Sequence, residues 1–226
     1  MSVARVSRQD LPSLTRRGAW WGALAAAAVV ALLAVLVLAR WGPLLRFDLR
    51  VDTAIHAWAL QHAWAVDVSR VLEAIGRFRV AVWVVVATVI LLLVARRWWQ
   101  AATLVVVASL APLLTTVLKV LVARERPVWA VPLGTADTFS FPSGHATTGI
   151  AVYAACGVAL GSLLRNASWG AVVAAAFLLL GVAIGLSRLV LGVHWPSDVL
   201  AGWCVALAVA GAAGALLVLP PPPDRP

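Results

Sequence analysis

Three clusters of ionisable and small polar residues occupy the second half of the chain, and each adjoins a long apolar stretch. The clusters are Lys119 to Arg126-Pro127, then Pro142-Ser143-Gly144-His145, and finally Ser187-Arg188 through His194 to Asp198. Ionisable groups at a membrane boundary are costly, so a function is the first explanation to consider for them. Cations, a helix start and a histidine beside a carboxylate are together typical of a site that handles phosphate.

The first cluster places two cations at the end of an apolar stretch. Lys119 and Arg126 are seven residues apart, so a helix that continues to Pro127 would present both on one face. Such a pair can neutralise and orient a phosphate dianion. The alternative is that both side chains extend from a helix end to the lipid headgroups. Arg124 and Glu125 are predicted to face the headgroups or to pair with each other.

The second cluster predicts a helix start that can bind an anion. The free backbone N–H groups and the helix dipole favour a negative charge, and Gly144 permits close approach. Ser143 can donate its hydroxyl, and His145 can donate a proton. The alternative is an ordinary helix start without a ligand.

The third cluster contains a histidine that an aspartate can orient. Pro196 is a favourable first residue for a helix and places Asp198 two residues further in, within reach of His194. A carboxylate on one ring nitrogen fixes the tautomer and frees the other nitrogen as a nucleophile. Arg188 supplies a third cation for phosphate. The alternative is a loop histidine beside an aspartate that caps a helix.

Two other kinds of site fit these residues less well. Two histidines and an aspartate could bind a metal, but the surrounding cations would repel a metal and attract phosphate, so we predict no metal ligands. A serine hydrolase is also disfavoured, because Ser143 stands at a helix start and not in a G-x-S-x-G turn.

The composition predicts a membrane protein rather than a soluble domain. The 226 residues are 63% hydrophobic and 12% charged, whereas a soluble domain carries about 25% charged residues. The net charge of +9 comes from 18 lysines and arginines against 9 acidic residues. Because these cations are spread over short loops without a basic face, they favour lipid headgroups or a phosphate substrate over nucleic acid.

Six apolar stretches are candidates for transmembrane helices. They cover residues 18–39, 79–95, 99–122, 142–164, 168–186 and 196–219. We therefore predict an all-α integral membrane bundle of six spans over residues 18–219. A cytoplasmic tail at 1–17 precedes the bundle, and a C-terminal tail at 220–226 follows it.

Residues 40–78, between the first two spans, are predicted to form one or two short amphipathic helices on the membrane surface. Asp52 and Asp67 are the predicted N-caps of these helices. His56 and His62 are interpreted as surface or interfacial residues rather than as ligands.

Two further predictions concern packing inside the bundle. Cys156 and Cys204 lie in apolar stretches and lack a metal-binding or redox spacing, so we interpret both as small core residues without a disulfide. Gly181 and Gly185 give the fifth span a face of small residues that permits close helix packing.

The six-span topology brings the three clusters to one side of the membrane. They lie at the connections between spans 3 and 4 and between spans 5 and 6, which fall on the same side. With the cluster cations set aside, eight arginines lie on the side of the N-terminus and six on the other side. This excess mildly favours a cytoplasmic N-terminus and a site that faces outside.

The clusters resemble the signature of the type 2 phosphatidic acid phosphatase family, in its membrane branch, which shares its site with vanadium haloperoxidases. The family pattern is lysine, six residues and Arg-Pro; then Pro-Ser-Gly-His; then Ser-Arg, five residues, histidine, three residues and aspartate. Every signature position is matched within residues 119–198. The haloperoxidase branch is soluble and binds vanadate, so this apolar chain is unlike it.

The resemblance implies a role for each matched residue. His194 would be the nucleophile that forms a phosphohistidine, and Asp198 would be its partner. His145 would be the general acid for the leaving alcohol and then the base for water. The phosphate would be held by Lys119, Arg126, Ser143, the Gly144 amide and Arg188. The family works without a metal or other cofactor, on the extracytoplasmic face.

The resemblance therefore implies a phosphatase of a bacterial-type cell membrane that hydrolyses a lipid phosphate monoester of the phosphatidic acid type. An isoprenoid diphosphate such as undecaprenyl diphosphate is the competing substrate, because the signature recognises phosphate and not the lipid tail. A non-catalytic protein that binds or transports lipid phosphates is the other alternative, and the intact His194, His145 and Asp198 count against it. The expected partners are the substrate and the surrounding membrane lipids.

Overall fold

The structure, a computed structural model, describes residues 11–217, and every regular element within that range is helical. The all-α prediction is therefore confirmed for the described residues. The predicted tail at 220–226 and most of the tail at 1–17 lie outside them. In chain order the helices are α1 (Leu11–Leu38), α2 (Gly42–Leu60), α3 (Ala63–Ile75), α4 (Phe78–Val94), α5 (Trp98–Val122), α6 (Gly144–Thr148), a π-helical segment (Gly149–Ala154), α7 (Ala155–Gly161), α8 (Ala167–Val190) and α9 (Pro196–Leu217).

Within residues 11–217, four helices are long and apolar enough to cross a membrane, as expected of an integral membrane protein: α1, α5, α8 and α9. Helices α3 and α4 pass the same test only as a pair, and they are bent by 56° at the break between them. The predicted fourth span is divided into α6, the π-helical segment and α7. Length and composition thus support four or five spans among the described residues, and the six predicted spans are supported only in part.

Glycines allow two helical stretches to approach until their backbones touch. A Cβ added to Gly149 would lie 2.2 Å from the carbonyl oxygen of Gly181, and one added to Gly161 would lie 2.4 Å from that of Gly170. The stretch formed by α6, the π-helical segment and α7 therefore crosses α8 at two glycine contacts. The small-residue face predicted for the fifth span is confirmed, since Gly185 also packs against Trp203 of α9.

The segment after α1 forms two helices, as predicted, but their starts differ from the prediction. Helix α2 begins at Gly42 and α3 at Ala63, so Asp52 and Asp67 lie inside the helices and do not cap them. The N-cap prediction failed because both helices begin earlier, at residues whose side chains make no capping hydrogen bond. His62 precedes α3 and is half-buried.

Helix α2 buries a polar face. Asp48, Asp52 and His56 follow one another at intervals of four residues, and all three are buried. This spacing places them on the same side of the helix, turned toward the protein. His56 stacks on Trp129 with ring centroids 4.2 Å apart, so its interpretation as a surface residue is wrong.

Both cysteines are buried and free, as predicted. Cys156 belongs to the apolar core formed by α4, α5, the π-helical segment, α7 and α8. Cys204 packs in a separate cluster between α1 and α9. The charged clusters meet beyond these cores, at one end of the helices.

Candidate active site

The loops and helix ends that carry the three clusters contact one another directly. The side chain of Arg126 reaches His194, the side chain of Arg124 reaches Asp198, and the Ser143 N–H donates to the Asp198 carbonyl at 2.9 Å. Residues from all three clusters therefore share one site.

Lys119 and Arg126 meet, but not on the helical face that their spacing predicts. Helix α5 ends at Val122, and Ala123 adopts a left-handed conformation with φ 47°. The prediction that the helix continues to Pro127 is wrong. Instead, Lys119 Nζ and Arg126 Nη2 both donate to the carbonyl oxygen of Phe139. A loop carbonyl thus brings the two cations together.

Beside these two cations lies an open cavity of about 620 Å³. Its lining includes Lys119 and Arg126, the acidic residues Glu125 and Asp137, and two apolar side chains that are 69% and 93% exposed, Val120 and Val128. The cavity therefore presents cations and apolar surface together, a combination that complements an anionic headgroup with a lipid tail.

The imidazole of His194 is held between a cation and a carboxylate. Its Nε2 lies 3.0 Å from Arg126 Nη1, and its Nδ1 lies 3.5 Å from Asp198 Oδ2. Because a guanidinium only donates hydrogen bonds, Nε2 must accept this one, and the neutral ring carries its proton on Nδ1. The longer distance on the other side is a contact that a small movement would turn into a hydrogen bond.

His194 is neutral in this environment. Burial is the main cause that lowers the pKa of its imidazole, to about 3, and the charges of Arg126 and Lys119 act in the same direction. Asp198 opposes this by favouring the protonated ring. A neutral imidazole with a lone pair on Nε2 is the form that acts as a nucleophile.

Asp198 has two tasks at the start of α9. Its Oδ2 accepts the N–H of Trp195 at 2.9 Å, as in a capping box, and the same oxygen faces Nδ1 of His194. Its Oδ1 accepts from Arg124 at 2.7 Å. The local geometry at Pro196, the first residue of α9, is the one predicted from the sequence.

The sequence predicts that Arg124 lies at the lipid headgroups, but its side chain is buried in the protein. It is 9% exposed and forms ion pairs of 2.7 Å with both Asp48 and Asp198. It also stacks over the ring of Trp195 at 5.4 Å from the centroid. Its pairing partner is therefore not Glu125, and the prediction is wrong because the nearest acid in sequence is not the nearest in space.

The second cluster begins a helix, as predicted. Ser143 is the N-cap of α6, and its buried hydroxyl accepts from the Ala146 N–H at 3.4 Å. The space around the Gly144 α-carbon is open. His145 follows on the first turn, where its Nε2 lies 3.2 Å from the carbonyl oxygen of Glu73.

Arg188 is buried, and part of its hydrogen-bonding capacity is unused. It is 2% exposed and lies 3.4 Å from a carboxylate oxygen of Glu73, while its Nε and Nη1 make no hydrogen bond. Burial, and next the charge of Arg188, lower the pKa of the Arg126 guanidinium. The charges of the two arginines therefore act on each other, and their combined positive potential suits a phosphate.

The part of the chain that carries the three clusters matches a known protein family. The model of the PAP2 superfamily matches residues 100–217, which is more than half of the chain. The chain belongs to the PAP2 superfamily. The PAP2 match includes all three clusters and begins after α4. Helices α2 and α3 lie outside it, yet they supply Asp48 and Glu73 to the site.

The chain spans about half the length of two curated relatives that it matches. The decaprenylphosphoryl-5-phosphoribose phosphatase of Mycolicibacterium smegmatis is 41% identical over 98 residues, which are 42% of this chain and 48% of that protein. The phosphatidylglycerophosphatase B of Bacillus subtilis is 36% identical over 99 residues, which are 42% of this chain and 47% of that protein.

A solved structure has the same fold. The transmembrane PAP2-type phosphatidylglycerolphosphate phosphatase from Bacillus subtilis superposes with a TM-score of 0.78 and 24% identity, over 87% of this chain and 96% of that chain. Because the superposition covers 87% of the chain, it extends beyond the matched PAP2 region and includes most of the chain before residue 100.

Proposed function

We propose that the protein is a membrane phosphatase that hydrolyses a lipid phosphate monoester through a phosphohistidine on His194. The observation that carries the proposal is the placement of the imidazole. Nε2 is unprotonated and directed at Arg126, and Nδ1 faces Asp198. Covalent phosphoryl transfer requires a nucleophile that lies beside a phosphate-binding cation and that a carboxylate orients through its other ring nitrogen.

The proposed reaction has two steps that share one acid–base residue. Nε2 of His194 attacks phosphorus, the bond between phosphorus and the lipid oxygen breaks, and His145 donates a proton to the leaving alkoxide. His145 then takes a proton from water, which attacks phosphorus, and the phosphorus–nitrogen bond breaks to release phosphate. Asp198 stabilises the positive imidazole in the intermediate.

The proposed cradle for the phosphate consists of groups that donate hydrogen bonds or carry positive charge. They are Lys119, Arg126, Ser143, the Gly144 N–H and Arg188. The unused donors of Arg188 support its part in the cradle, because buried N–H groups that make no hydrogen bond are costly until an anion binds. The same cations would repel a divalent metal, so the proposed mechanism uses none.

The proposed substrate is a lipid phosphate of the phosphatidic acid type. The cavity with cations and exposed valines beside Lys119 supports a substrate with a lipid tail. The two relatives are named for a glycerolipid and for a decaprenyl lipid. The second name favours an isoprenoid phosphate or diphosphate as the other candidate, since that relative has the higher identity of the two.

The test is a phosphate-release screen of the purified protein with EDTA present. The panel contains phosphatidic acid, phosphatidylglycerophosphate, undecaprenyl diphosphate and a decaprenyl-linked phosphoribose phosphate. We expect release from at least one lipid, persistence in EDTA and inhibition by orthovanadate, which can take a trigonal-bipyramidal geometry on His194. Activity that disappears in EDTA and returns with a divalent metal would contradict the mechanism. No release from any lipid would favour a non-catalytic binding or transport protein.

We also propose six spans in a bacterial cell membrane, with the N-terminus in the cytoplasm and the site outside. The divided fourth span supports this number: its three parts have 5, 6 and 7 residues and follow one another without a break. At 1.5 Å per residue they extend roughly 27 Å, close to the hydrocarbon thickness. Helix α4, with 17 residues, has a similar length.

The proposed orientation is tested with single cysteines in a background that lacks Cys156 and Cys204. Asp137 and Arg165 are both exposed and lie in loops that the six-span topology assigns to opposite sides. An impermeant thiol reagent on intact cells is expected to label Asp137→Cys and not Arg165→Cys. The reverse pattern would place the site in the cytoplasm.

A further inference from the structure

Arg124 lies behind the catalytic histidine and does not belong to the proposed phosphate cradle. Its Nη1 donates to Asp198 Oδ1 and its Nη2 donates to Asp48 Oδ2, each at 2.7 Å. Both carboxylates are fully buried, and Arg124 is nearly so. A planar guanidinium that bonds two carboxylates from separate nitrogens fixes the direction of each bond.

Asp48 holds this arginine in place and is itself held by the first turn of α9. Its Oδ1 accepts the Ser197 N–H at 3.0 Å, and its Oδ2 accepts the Ser197 hydroxyl at 2.5 Å. The same hydroxyl accepts from Arg124 Nη1 at 2.8 Å. The hydrogen bonds thus link α2 to the residue that precedes Asp198 and to Arg124 at once.

The two carboxylate oxygens of Asp198 have separate partners. Oδ1 is bound by Arg124, while Oδ2 accepts from Trp195 N–H and faces Nδ1 of His194. A carboxylate fixed through Oδ1 cannot rotate freely. The bond from Arg124 to Oδ1 and the bond from the Trp195 N–H to Oδ2 therefore fix the carboxylate together, with Oδ2 facing the proton on Nδ1.

We propose that Arg124, anchored by Asp48 of α2, is a positioning residue that orients Asp198 and through it, together with the hydrogen bond from Arg126 to Nε2, sets the tautomer of His194. This inference rests on the proposed function, in which Nε2 of His194 is the nucleophile. Arg124 acts through Asp198 and does not touch the phosphate. The polar face of α2, which precedes the matched PAP2 region, thereby takes part in the reaction.

The first test compares Arg124→Gln with Arg70→Gln. Arg70 is a matched control because it forms an ion pair with Asp67 at 3.3 Å that is exposed, whereas the ion pairs of Arg124 are buried. We expect Arg124→Gln to lower kcat about 10–100-fold, the range found for residues that orient the ligands of a metal site through hydrogen bonds. KM should change less than about threefold, since the phosphate cradle is intact. Arg124→Lys should recover only part of kcat, because an ammonium lacks the planar fork.

The decisive form of this test repeats Arg124→Gln in an Asp198→Asn background. If Arg124 acts through Asp198, the second change should lower kcat less than about threefold further, because coupled residues are not additive. An equal fold-loss of kcat in both backgrounds would overturn the proposal, as would a loss that appears entirely in KM.

A second readout does not depend on turnover. The chain has four histidines, so the signals of ¹⁵N-histidine-labelled protein can be assigned to His194 by their absence in His194→Ala. We expect the Nδ1–H tautomer in the wild type and in Arg70→Gln, and a mixture of tautomers in Arg124→Gln. Should Arg124→Gln not fold, Asp48→Asn is expected to produce a smaller change in the same direction.

These outcomes separate the two proposals. An unchanged His194 tautomer in the Arg124 and Asp48 variants refutes the positioning role, whatever the activity of the protein. A changed tautomer in a protein that releases no phosphate from any lipid supports the positioning role and contradicts only the proposed function.

Discussion

Two regions of the molecule bury opposite kinds of surface. One is the candidate site at the end of the bundle, and the other is the crossing of α8 with residues 144–161. At the site, charged side chains are buried, among them Asp48, Arg124, Arg188 and Asp198. At the crossing, backbone meets backbone at glycines. A buried charge requires a counter-charge, which another part of the chain supplies. Close contact at the crossing requires only residues that have no side chain. Changes at the site should therefore alter chemistry, and changes at the crossing should alter stability alone.

The largest effect is expected at the candidate site. His194→Ala removes the proposed nucleophile, so activity should fall to background, a loss of about 10⁴-fold or more. Rapid quenching without acid, with labelled substrate, should trap an acid-labile phosphoenzyme in the wild type and none in the variant. His62→Ala, at the start of α3, is the control and should keep its activity. A labelled intermediate that survives in His194→Ala would show that the nucleophile is another residue.

The next effect separates the roles of the two histidines. His145→Ala keeps the nucleophile but removes the proton donor, so hydrolysis of a lipid phosphate should slow by about 10²–10⁴-fold. The defect should shrink with a nitrophenyl phosphate, whose leaving group hardly requires a proton. The measurement is the ratio of kcat for the two substrates in wild type and variant. An equal defect for both would contradict the role of general acid.

A smaller effect is expected at the glycine crossing, and it should be a loss of stability. In Gly161→Ala the new Cβ would lie 2.4 Å from the Gly170 carbonyl oxygen, so α7 and α8 must separate. Overpacking of this kind costs about 1–3 kcal/mol. Thermal unfolding in detergent measures it, while kcat per folded molecule should stay near the wild-type value.

Gly22→Ala is the matched control for this crossing. Among the described residues, no atom apart from the adjacent backbone of α1 lies within 4 Å of the Cβ position of Gly22. Its replacement should therefore be neutral or slightly stabilising, because alanine favours a helix. If Gly161→Ala were as stable as Gly22→Ala, close backbone packing would not hold the crossing together.

The smallest effect concerns a buried carboxyl group, that of Asp52. Asp52 is fully buried, and neither of its oxygens makes a hydrogen bond. Burial is the main cause that raises the pKa of its carboxyl from 3.8 to about 7, with the charges of Asp198 and Asp48 adding to it. The folded protein therefore keeps a proton that the unfolded chain has released, and its stability falls as the pH rises through this range.

This pH dependence should disappear in Asp52→Asn. Between pH 6 and 7 the wild type should lose about 1 kcal/mol of unfolding free energy relative to the variant. Thermal unfolding at pH 5, 6, 7 and 8 measures the difference, with the exposed Asp67→Asn as the control. A constant difference across these pH values would show that Asp52 does not titrate in this range.

The sequence by itself determined the features that depend on neighbours along the chain. Pro196 and Asp198 predict the start of α9, and the four-residue spacing brings His194 against Asp198. The glycines of α8 predict its close packing, and the apolar stretches predict an all-helical membrane protein. A helix turn, a cap and a span each depend on residues within one element, so their signals are local.

Only the tertiary structure decided which charges pair and how the elements end. Arg124 lies next to Glu125 in sequence but pairs with Asp48, 76 residues away. Lys119 and Arg126 meet through a carbonyl of a loop, because α5 ends at Val122. The energy of a buried charge depends on the counter-charges that the packed helices bring around it, and sequence spacing does not specify them. For this reason the signature residues could be identified from the sequence, whereas the arginine behind them could not.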